Sequence, residues 1–439
     1  MAPSLKEKIT YFYQHSFVRN VATLQAGNFF GTAIQAVVGI LLARFLQPEQ
    51  FGVYALVFSL ASLTSILLGT GIQDAITPAI SRAWFQGDKE EVGHILAFWV
   101  KLILMTAILT LVVSTVLPWA GGRFYRNTDI GFYAMVIVAA SVISTLIFSF
   151  TLLALQISGH IRGMMLLTLS DQSVRYGFSL ALVIGGFGVL GAVAGHLFGA
   201  MIVVCVAGII WMYLHRRYAL IPSLSILVDS ARRANLRRLL KPSLWVSLDR
   251  NIAMLYMSLP VALAGLFITT TEVTYFKLSF GYISLAMSLL GPISVLLNVE
   301  FPKIQVENSK KLISHFIRVS LYATGLSVLI TTGAIIASPV MFKILYGEAF
   351  MPSVPYVFGL FLYGALFGIG VGLGPMWRAI DRVKTSILIN LCTLGAGIPL
   401  GIILIREFHV WGAVAMVTLW YTVSHLASFI YLATKLRKL

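Results

Sequence analysis

The sequence predicts an all-α polytopic membrane protein with twelve transmembrane helices arranged in two six-helix lobes. Three observations predict this class: twelve long apolar stretches, basic residues concentrated on one side of those stretches, and a basic break at the midpoint of the chain. Of the 439 residues, 58% are hydrophobic and only 11% are charged. The segments between the apolar stretches are too short to fold as separate domains.

Each apolar stretch is long enough to cross a bilayer, because a helix needs about 20 residues to span the hydrocarbon core. We place spans 1 to 12 at 22–46, 53–77, 94–117, 131–157, 164–184, 189–214, 243–267, 273–299, 313–337, 353–376, 384–405 and 411–433.

The distribution of basic residues predicts the orientation. The chain carries 32 Lys and Arg against 16 Asp and Glu, for a formal net charge of +16. An even number of spans puts both termini on one side, and most basic residues fall in the segments on that side. Those at the opposite face are few: Arg44, Arg123, Arg126, Lys343 and Arg406. Because cytoplasmic loops are enriched in Lys and Arg, both termini are predicted to be cytoplasmic. The basic excess is then an orientation signal, and we expect no nucleic-acid partner.

The midpoint break divides the predicted domains. We expect a cytoplasmic N-terminal segment (1–21), an N-lobe (22–214), a basic cytoplasmic linker (215–241), a C-lobe (242–434) and a cytoplasmic tail (435–439). A constant offset between the halves pairs Ala43 with Ala264 and Tyr54 with Tyr275. With six spans in each half, such repeats would be related by an axis along the membrane normal.

Polar residues at helical spacing are the strongest functional signal inside the spans. The candidate substrate-binding residues on these faces are Gln25, Asn28, Thr32, Gln35, Ser247, Arg250, Lys277 and Ser284. Such side chains face lipid only at high cost, so each face is expected to meet protein or water. Helix packing through small and amide side chains is the alternative to a hydrated cavity. Spans 1, 2, 7 and 8 hold corresponding positions in the two halves, so their polar faces are expected to converge on one cleft.

Two carboxylates inside spans are candidates for ion coupling or for ion pairing. Asp171 and Arg175 are four residues apart in span 5, so they can pair within one helix. Arg175 is therefore either a substrate-binding cation or the partner of Asp171. Asp249 lies near the start of span 7 beside Arg250, which has the alternative of reaching the cytoplasmic interface. The lone histidines His196 and His425 are expected to be packed side chains.

Several runs resemble the polysaccharide-biosynthesis transporters of the oligosaccharide flippase type. They are LLARFLQPEQFGVYALVFSLASL (41–63), LLGTGIQDAITPAISRAWFQGDKEEV (67–92), ILYGEAFMPSVPYVFGLFL (344–362), AIDRVKTSILIN (379–390) and VWGAVA (410–415). The resemblance extends over the whole chain and consists of diffuse motifs. Members often carry an acidic residue deep in span 7, where this chain has Pro260 in an apolar neighbourhood.

The resemblance implies a flippase that moves a polyprenyl-diphosphate-linked oligosaccharide from the inner to the outer leaflet of the cell (inner) membrane. It implies a V-shaped cleft between two lobes and alternating access. The expected partners are the lipid-linked oligosaccharide and membrane lipids, with glycan polymerisation machinery as a further candidate. Coupling to the membrane potential, to H⁺ or to Na⁺ is open, and no bound cofactor is expected.

Two other functions are alternatives. A drug or cation antiporter of the same superfamily would share the architecture, but its cavity should be acidic, whereas Asp171 and Asp249 each have an Arg nearby. A polytopic sugar polymerase or ligase usually needs a large extracytoplasmic loop, and the outer loops here are short. No P-loop, zinc-ligand spacing or hydrolase elbow occurs, so we expect no catalytic residue and no metal.

Overall fold

The computed structural model describes residues 16–69, 71–234, 237–307 and 309–435, and no β-strand occurs among them. The helices are α1 (Ser16–Ser65), α2 (Ile72–Gln86), α3 (Lys89–Ser114), α4 (Leu117–Phe124), α5 (Thr128–Ile157), α6 (Ile161–Leu182), α7 (Gly188–Arg217), α8 (Leu224–Arg233), α9 (Arg237–Ala264), α10 (Thr270–Met287), α11 (Gly291–Glu307), α12 (Ser309–Leu345), α13 (Val354–Gly359), α14 (Phe361–Val371), α15 (Leu373–Ala379) and α16 (Val383–Lys435). Short 3₁₀ segments lie at Ile66–Leu68, Ser288–Leu290 and Glu348–Ser353, and a π-helical segment lies at Val183–Phe187.

The twelve predicted spans are accounted for by these helices. In the described parts of the chain, seven helical stretches are long and apolar enough to cross a membrane, and the bent pair Glu348–Gly359 and Phe361–Ala379 makes an eighth. Three of the seven contain two spans each, because the backbone leaves the helical region at Gln47, Gly186 and His409. The remaining predicted span, span 7, corresponds to α9, which is more polar than the stretches counted above. The predicted all-α, polytopic membrane fold is confirmed.

The break between spans 1 and 2 follows directly from the sequence. Gln47 precedes Pro48, and a residue before proline is disfavoured in the helical region by a clash with the proline ring. Gln47 accordingly leaves the helical region with ψ 168°, and it also has a positive φ of 59°, which the proline alone does not require. Proline then fits the first turn of the next helix, where its missing N–H is not needed.

Spans 2 and 8 are broken at corresponding points, which supports the internal repeat. The 3₁₀ segment Ile66–Leu68 separates the end of α1 from α2, and the 3₁₀ segment Ser288–Leu290 separates α10 from α11. The offset that pairs Tyr54 with Tyr275 brings these two segments within one residue of each other. Each half of the chain thus has an interrupted second span.

The chain divides into two compact units. The first comprises Met1–Phe45, Thr64–Pro118 and Phe132–Ser247, and the second comprises Leu46–Leu63, Trp119–Gly131 and Leu248–Leu439. The predicted lobe boundaries stay a prediction. The predicted N-terminal segment up to residue 15 and the tail after residue 435 lie outside the described residues.

In the first unit, α6 and α7 pack through glycines. Gly195 and Gly199 recur at one turn of α7, and a Cβ at either position would come within 2.6 Å of the α6 backbone, at Ser179 and Arg175 respectively. Ser179 Oγ donates a hydrogen bond of 2.8 Å to the Ala192 carbonyl across the same interface. Small residues at a helix interface allow this close approach in a membrane.

The predicted linker is not only a tether, because α8 packs against the first unit. Leu227 and Ala231 are buried in the same hydrophobic core as Trp211. Lys101 Nζ, from span 3, donates hydrogen bonds to the carbonyls of Arg232 (3.2 Å) and Ala234 (2.9 Å). A cation at a helix C-terminus satisfies carbonyls that lack a helical partner.

The second unit includes two segments from the first half of the sequence. Thr274 Oγ1 donates to the Pro48 carbonyl at 2.5 Å, and Gly52 packs directly on the backbone of Thr270. Tyr125 Oη donates to the Ala262 carbonyl at 3.0 Å. Burial raises the pKa of Tyr125, which keeps this phenol protonated as a donor. These contacts explain why 46–63 and 119–131 cluster with the C-terminal half.

Gly195→Ala should lower the apparent melting temperature of the detergent-purified protein, because its Cβ would lie 2.3 Å from Ser179 N. Overpacking of this kind costs about 1–3 kcal/mol. Gly208→Ala on the same helix is the matched control, since a Cβ there meets nothing within 4 Å. Both changes gain the same helix propensity. Equal melting temperatures for the two variants would contradict glycine-dependent packing of α6 on α7.

Candidate functional site

The polar residues of span 1 lie on an accessible face of α1. Asn28, Thr32 and Gln35 are exposed and Gln25 is half-buried. Thr32 Oγ1 donates a hydrogen bond of 2.9 Å to the Asn28 carbonyl, which satisfies its hydroxyl proton within the helix. The amide side chains are therefore presented at the surface of the first unit.

Another face of α1 is fixed by contact with α6. A Cβ at Gly27 would lie 2.4 Å from Met165 Cγ, and one at Gly31 would lie 2.1 Å from Gln172 Oε1. The spacing of these glycines is that of a small-residue helix interface. This interface sets the orientation of α1 and brings its polar residues near the polar centre of span 5.

The predicted ion pair in span 5 is formed. Arg175 Nε donates to Asp171 Oδ1 at 2.5 Å, and the two side chains are only 15% and 20% exposed, respectively. One turn of α7 contacts the backbone of Arg175 at Gly199. The two charges compensate each other within the helix. The Asp171 carboxylate already accepts from the Arg175 guanidinium, so a substrate phosphate that binds Arg175 would have to share this group with Asp171 or displace it.

In span 7 the polar residues differ in burial. Ser247 and Asn251 are buried, Asp249 is half-buried and Arg250 is exposed. The exposed Arg250 is accessible to a ligand or to a lipid headgroup.

Arg378 places a positive charge in the electrostatic surroundings of Asp249 in the second unit. It interacts electrostatically with Asp249 and donates a hydrogen bond of 2.9 Å from Nη1 to Asn298 Oδ1. A side-chain hydrogen bond therefore joins α11 and α15, and the charge of Arg378 acts on Asp249 of α9. The sequence places Arg378 in the cytoplasmic segment after span 10, and so outside the polar faces from which the candidate site was predicted.

Span 8 contributes Lys277 and Ser284 from α10. Lys277 is half-buried, and within the described residues no carboxylate lies in ion-pair distance of its ammonium group. Ser284 Oγ hydrogen-bonds the Phe280 carbonyl at 2.7 Å and lies 3.1 Å from Tyr363 Oη. Lys277 is thus a cation without its own counter-charge in the described structure.

An aromatic cluster that sequence reasoning missed surrounds Ser284. The rings of Tyr363 and Tyr421 lie 4.8 Å apart, and that of Tyr256 lies 5.2 Å from Tyr421. Tyr421 Oη lies 3.4 Å from the sulfur of Met257. Tyrosine normally marks the ends of spans, so three tyrosines within spans are a signal that could have revealed this cluster.

The predicted residues fall into two groups. Those of span 1, Asp171, Arg175 and Ser247 belong to the first unit, and Asp249, Arg250, Lys277 and Ser284 belong to the second. Their convergence on one cleft stays a prediction. Among the described residues, no three His, Cys, Asp or Glu side chains come together as metal ligands.

Comparisons with known proteins identify the family. A model of the family described as "Polysaccharide biosynthesis protein" matches residues 41–355. No curated protein sequence matches significantly.

Solved structures with the same fold are membrane transporters. The inward-facing structure of a multidrug resistance MATE family transporter of the MOP superfamily has a TM-score of 0.71 and 16% identity, over 93% of this chain and 95% of that one. The inward closed lipid II flippase MurJ has a TM-score of 0.67 and 11% identity, over 94% and 90%. A MOP superfamily transporter from Pyrococcus furiosus has a TM-score of 0.62 and 16% identity, over 96% and 95%.

These findings confirm the resemblance seen in the sequence. The chain has the two-lobe, twelve-helix fold of these MOP superfamily membrane proteins. The family model covers well over half of the chain, and the protein therefore belongs to the polysaccharide biosynthesis protein family.

Proposed function

We propose that this protein flips a polyprenyl-diphosphate-linked oligosaccharide from the cytoplasmic to the outer leaflet of the cell membrane by alternating access. The observation that carries the proposal is the positive balance of the polar residues within the spans. Asp171 is paired with Arg175, and Asp249 experiences the positive charge of Arg378, while no carboxylate lies in ion-pair distance of Lys277 among the described residues. Membership in a polysaccharide biosynthesis family supports a glycan as cargo.

The chemistry of such a substrate explains why cations and hydroxyls are needed inside the membrane. A sugar diphosphate cannot cross about 30 Å of hydrocarbon unaided, because an unpaired ion in a low-dielectric medium costs tens of kcal/mol. Amide, hydroxyl and cationic side chains replace the lost hydration. The apolar polyprenyl tail can stay in the lipid, so only the head requires a protein path.

The alternative of a drug or cation antiporter requires net negative charge near the substrate. The described carboxylates inside spans are each close to an arginine, which disfavours a cationic cargo. The Pyrococcus furiosus transporter is described as having a binding pocket of reverse polarity, so pockets of opposite charge occur among proteins of this fold. A pocket of positive polarity would suit a diphosphate.

The proposed orientation predicts that α8 is cytoplasmic. In a background carrying Cys205→Ala and Cys392→Ala, Asp229→Cys should react with an impermeant maleimide only after the cells are permeabilised. Asp229 is exposed on α8, so its accessibility depends on the side of the membrane. The matched control is Thr128→Cys, an exposed position in a predicted outer loop, which should react in intact cells. The opposite pattern would overturn the orientation.

The membrane potential should influence transport. An anion that moves outward across an inside-negative membrane gains about 2.3 kcal/mol per charge per 100 mV. Proteoliposomes with an imposed potential of this sign should therefore flip a polyprenyl-diphosphate sugar faster than depolarised ones, without an added H⁺ or Na⁺ gradient. Absolute dependence on one of those gradients, together with no response to potential, would contradict potential-driven transport.

Arg250→Ala should reduce glycan export while leaving the protein level in the membrane unchanged. A charge-assisted hydrogen bond contributes about 1.5–3 kcal/mol, so its loss weakens substrate binding by about tenfold to a hundredfold. Arg250→Lys should restore export only in part, because Lys lacks the planar fork that binds two phosphate oxygens. Arg82→Ala, which removes an exposed arginine outside these polar faces, is the control.

Arg175 needs a double variant, since its removal alone leaves Asp171 unpaired in a half-buried position. Asp171→Asn combined with Arg175→Gln removes both charges and keeps a hydrogen-bonding pair. This double variant should still fold, but it should export glycan poorly. Native export rates in both the double variant and Arg250→Ala would show that these arginines do not contact the substrate.

A further inference from the structure

A cavity of about 230 Å³ lies in the second unit at the break of span 8. Its wall is formed by the 3₁₀ segment Ser288–Leu290 and the start of α11, by α14, and by one residue of α16, His425. The break turns the backbone away from regular helix and leaves room beside Gly291, where a Cβ would meet nothing within 4 Å. The cavity therefore exists because span 8 is interrupted.

His425 contributes an unsatisfied polar atom to this wall. The imidazole interacts with the backbone of Leu366, but its Nδ1 is buried and has no hydrogen-bond partner in the part of the chain that the structure describes. A buried polar atom without a partner costs free energy, and within a membrane span there is no bulk water to satisfy it. A ligand in the adjacent cavity would supply the missing hydrogen bond.

The imidazole of His425 is held in place from three sides. A Cβ at Gly370 would lie 2.6 Å from its Cε1, so the ring sits directly on the α14 backbone. The rings of Phe367 and Tyr421 lie 6.2 Å and 5.7 Å away in edge-on arrangements. The sequence predicted a packed histidine, and these contacts agree, but they leave Nδ1 without a partner.

The lining indicates an uncharged ligand that carries some hydrogen-bonding groups. Hydroxyl groups come from Ser288 and Ser294, and no Lys, Arg, Asp or Glu belongs to the described wall. Ser288 Oγ donates its proton to the Leu285 carbonyl at 2.6 Å and keeps its lone pairs as acceptors. A diphosphate would require cations, whereas a mostly apolar pocket with a few polar groups is typical of a site for a small uncharged molecule.

We infer that this cavity binds a sugar unit of the transported glycan, with the His425 ring and the span 8 hydroxyls as hydrogen-bonding groups. The inference rests on the proposed function and adds a second subsite to it. Cations elsewhere in the spans bind the diphosphate, and the cavity at the break of span 8 distinguishes a glycosylated carrier from a bare one. A site that hydrogen-bonds substrate hydroxyls binds a ligand that carries them more tightly than one that lacks them.

The test compares two probes on the purified full-length protein: farnesyl diphosphate, and farnesyl diphosphate carrying N-acetylglucosamine or galactose. Of the N-acetylglucosamine and galactose probes, one should bind the wild type more tightly than the other. That probe should bind about fivefold to tenfold more tightly than bare farnesyl diphosphate, as expected for one or two neutral hydrogen bonds. Gly291→Leu should abolish this preference by filling the cavity, without changing the affinity for farnesyl diphosphate. His425→Phe keeps the ring packing and should have the same effect.

Gly325→Leu is the matched control, because Gly325 is an exposed glycine on α12 with open space around it and does not line the cavity. It should retain the wild-type preference. A wild type that binds both probes equally, or a Gly291→Leu variant that keeps the preference, would overturn the sugar subsite and leave the proposed function intact. Failure of the wild type to bind either probe would instead overturn the proposed function.

Discussion

Every polar group that enters the hydrocarbon core must find its partner inside the protein, and the rest of the structure follows from this requirement. The backbone satisfies it by forming helices almost throughout, with short 3₁₀ or π-helical segments where spans are interrupted. Charged side chains satisfy it with polar partners: Arg175 pairs with Asp171 in one unit, and Arg378 donates a hydrogen bond to Asn298 in the other. Groups that the described structure leaves without a partner, such as Lys277 and His425 Nδ1, then become candidates for contact with a substrate.

Close helix packing provides the framework for these pairs. Apolar side chains contact lipid tails about as favourably as they contact one another. Burial of apolar surface therefore does not by itself hold transmembrane helices together. Glycines at Gly27 and Gly31 of α1 and at Gly195 and Gly199 of α7 instead bring helix backbones into direct contact. Both interfaces involve α6, and they fix the positions of Asp171 and Arg175 relative to the polar face of span 1. Glycines that allow close helix packing thus determine where these polar residues lie.

The sequence predicted what depends on local pattern. Hydropathy located the spans, Pro48 marked the first break, and the four-residue spacing of Asp171 and Arg175 predicted their pair. Contacts between distant residues were not predictable, because no periodicity links Asp249 to Arg378 or Lys101 to the carbonyls at the end of α8. The cavity at the break of span 8 also escaped prediction, since it needs three helices to close around Ser288 and His425. Hydropathy describes each helix separately, whereas a binding site within a membrane is formed by side chains of several helices.

The central claim is that the polar residues within the spans serve an anionic lipid-linked head and not a cationic drug. The most direct measurement is the melting temperature of the purified protein in detergent with farnesyl-diphosphate-linked sugar, and separately with the lipophilic cation tetraphenylphosphonium. A ligand that binds the folded state raises this temperature in a concentration-dependent way. We expect stabilisation by the anionic probe and none by the cation. Stabilisation by tetraphenylphosphonium alone would contradict it and favour a cation antiporter.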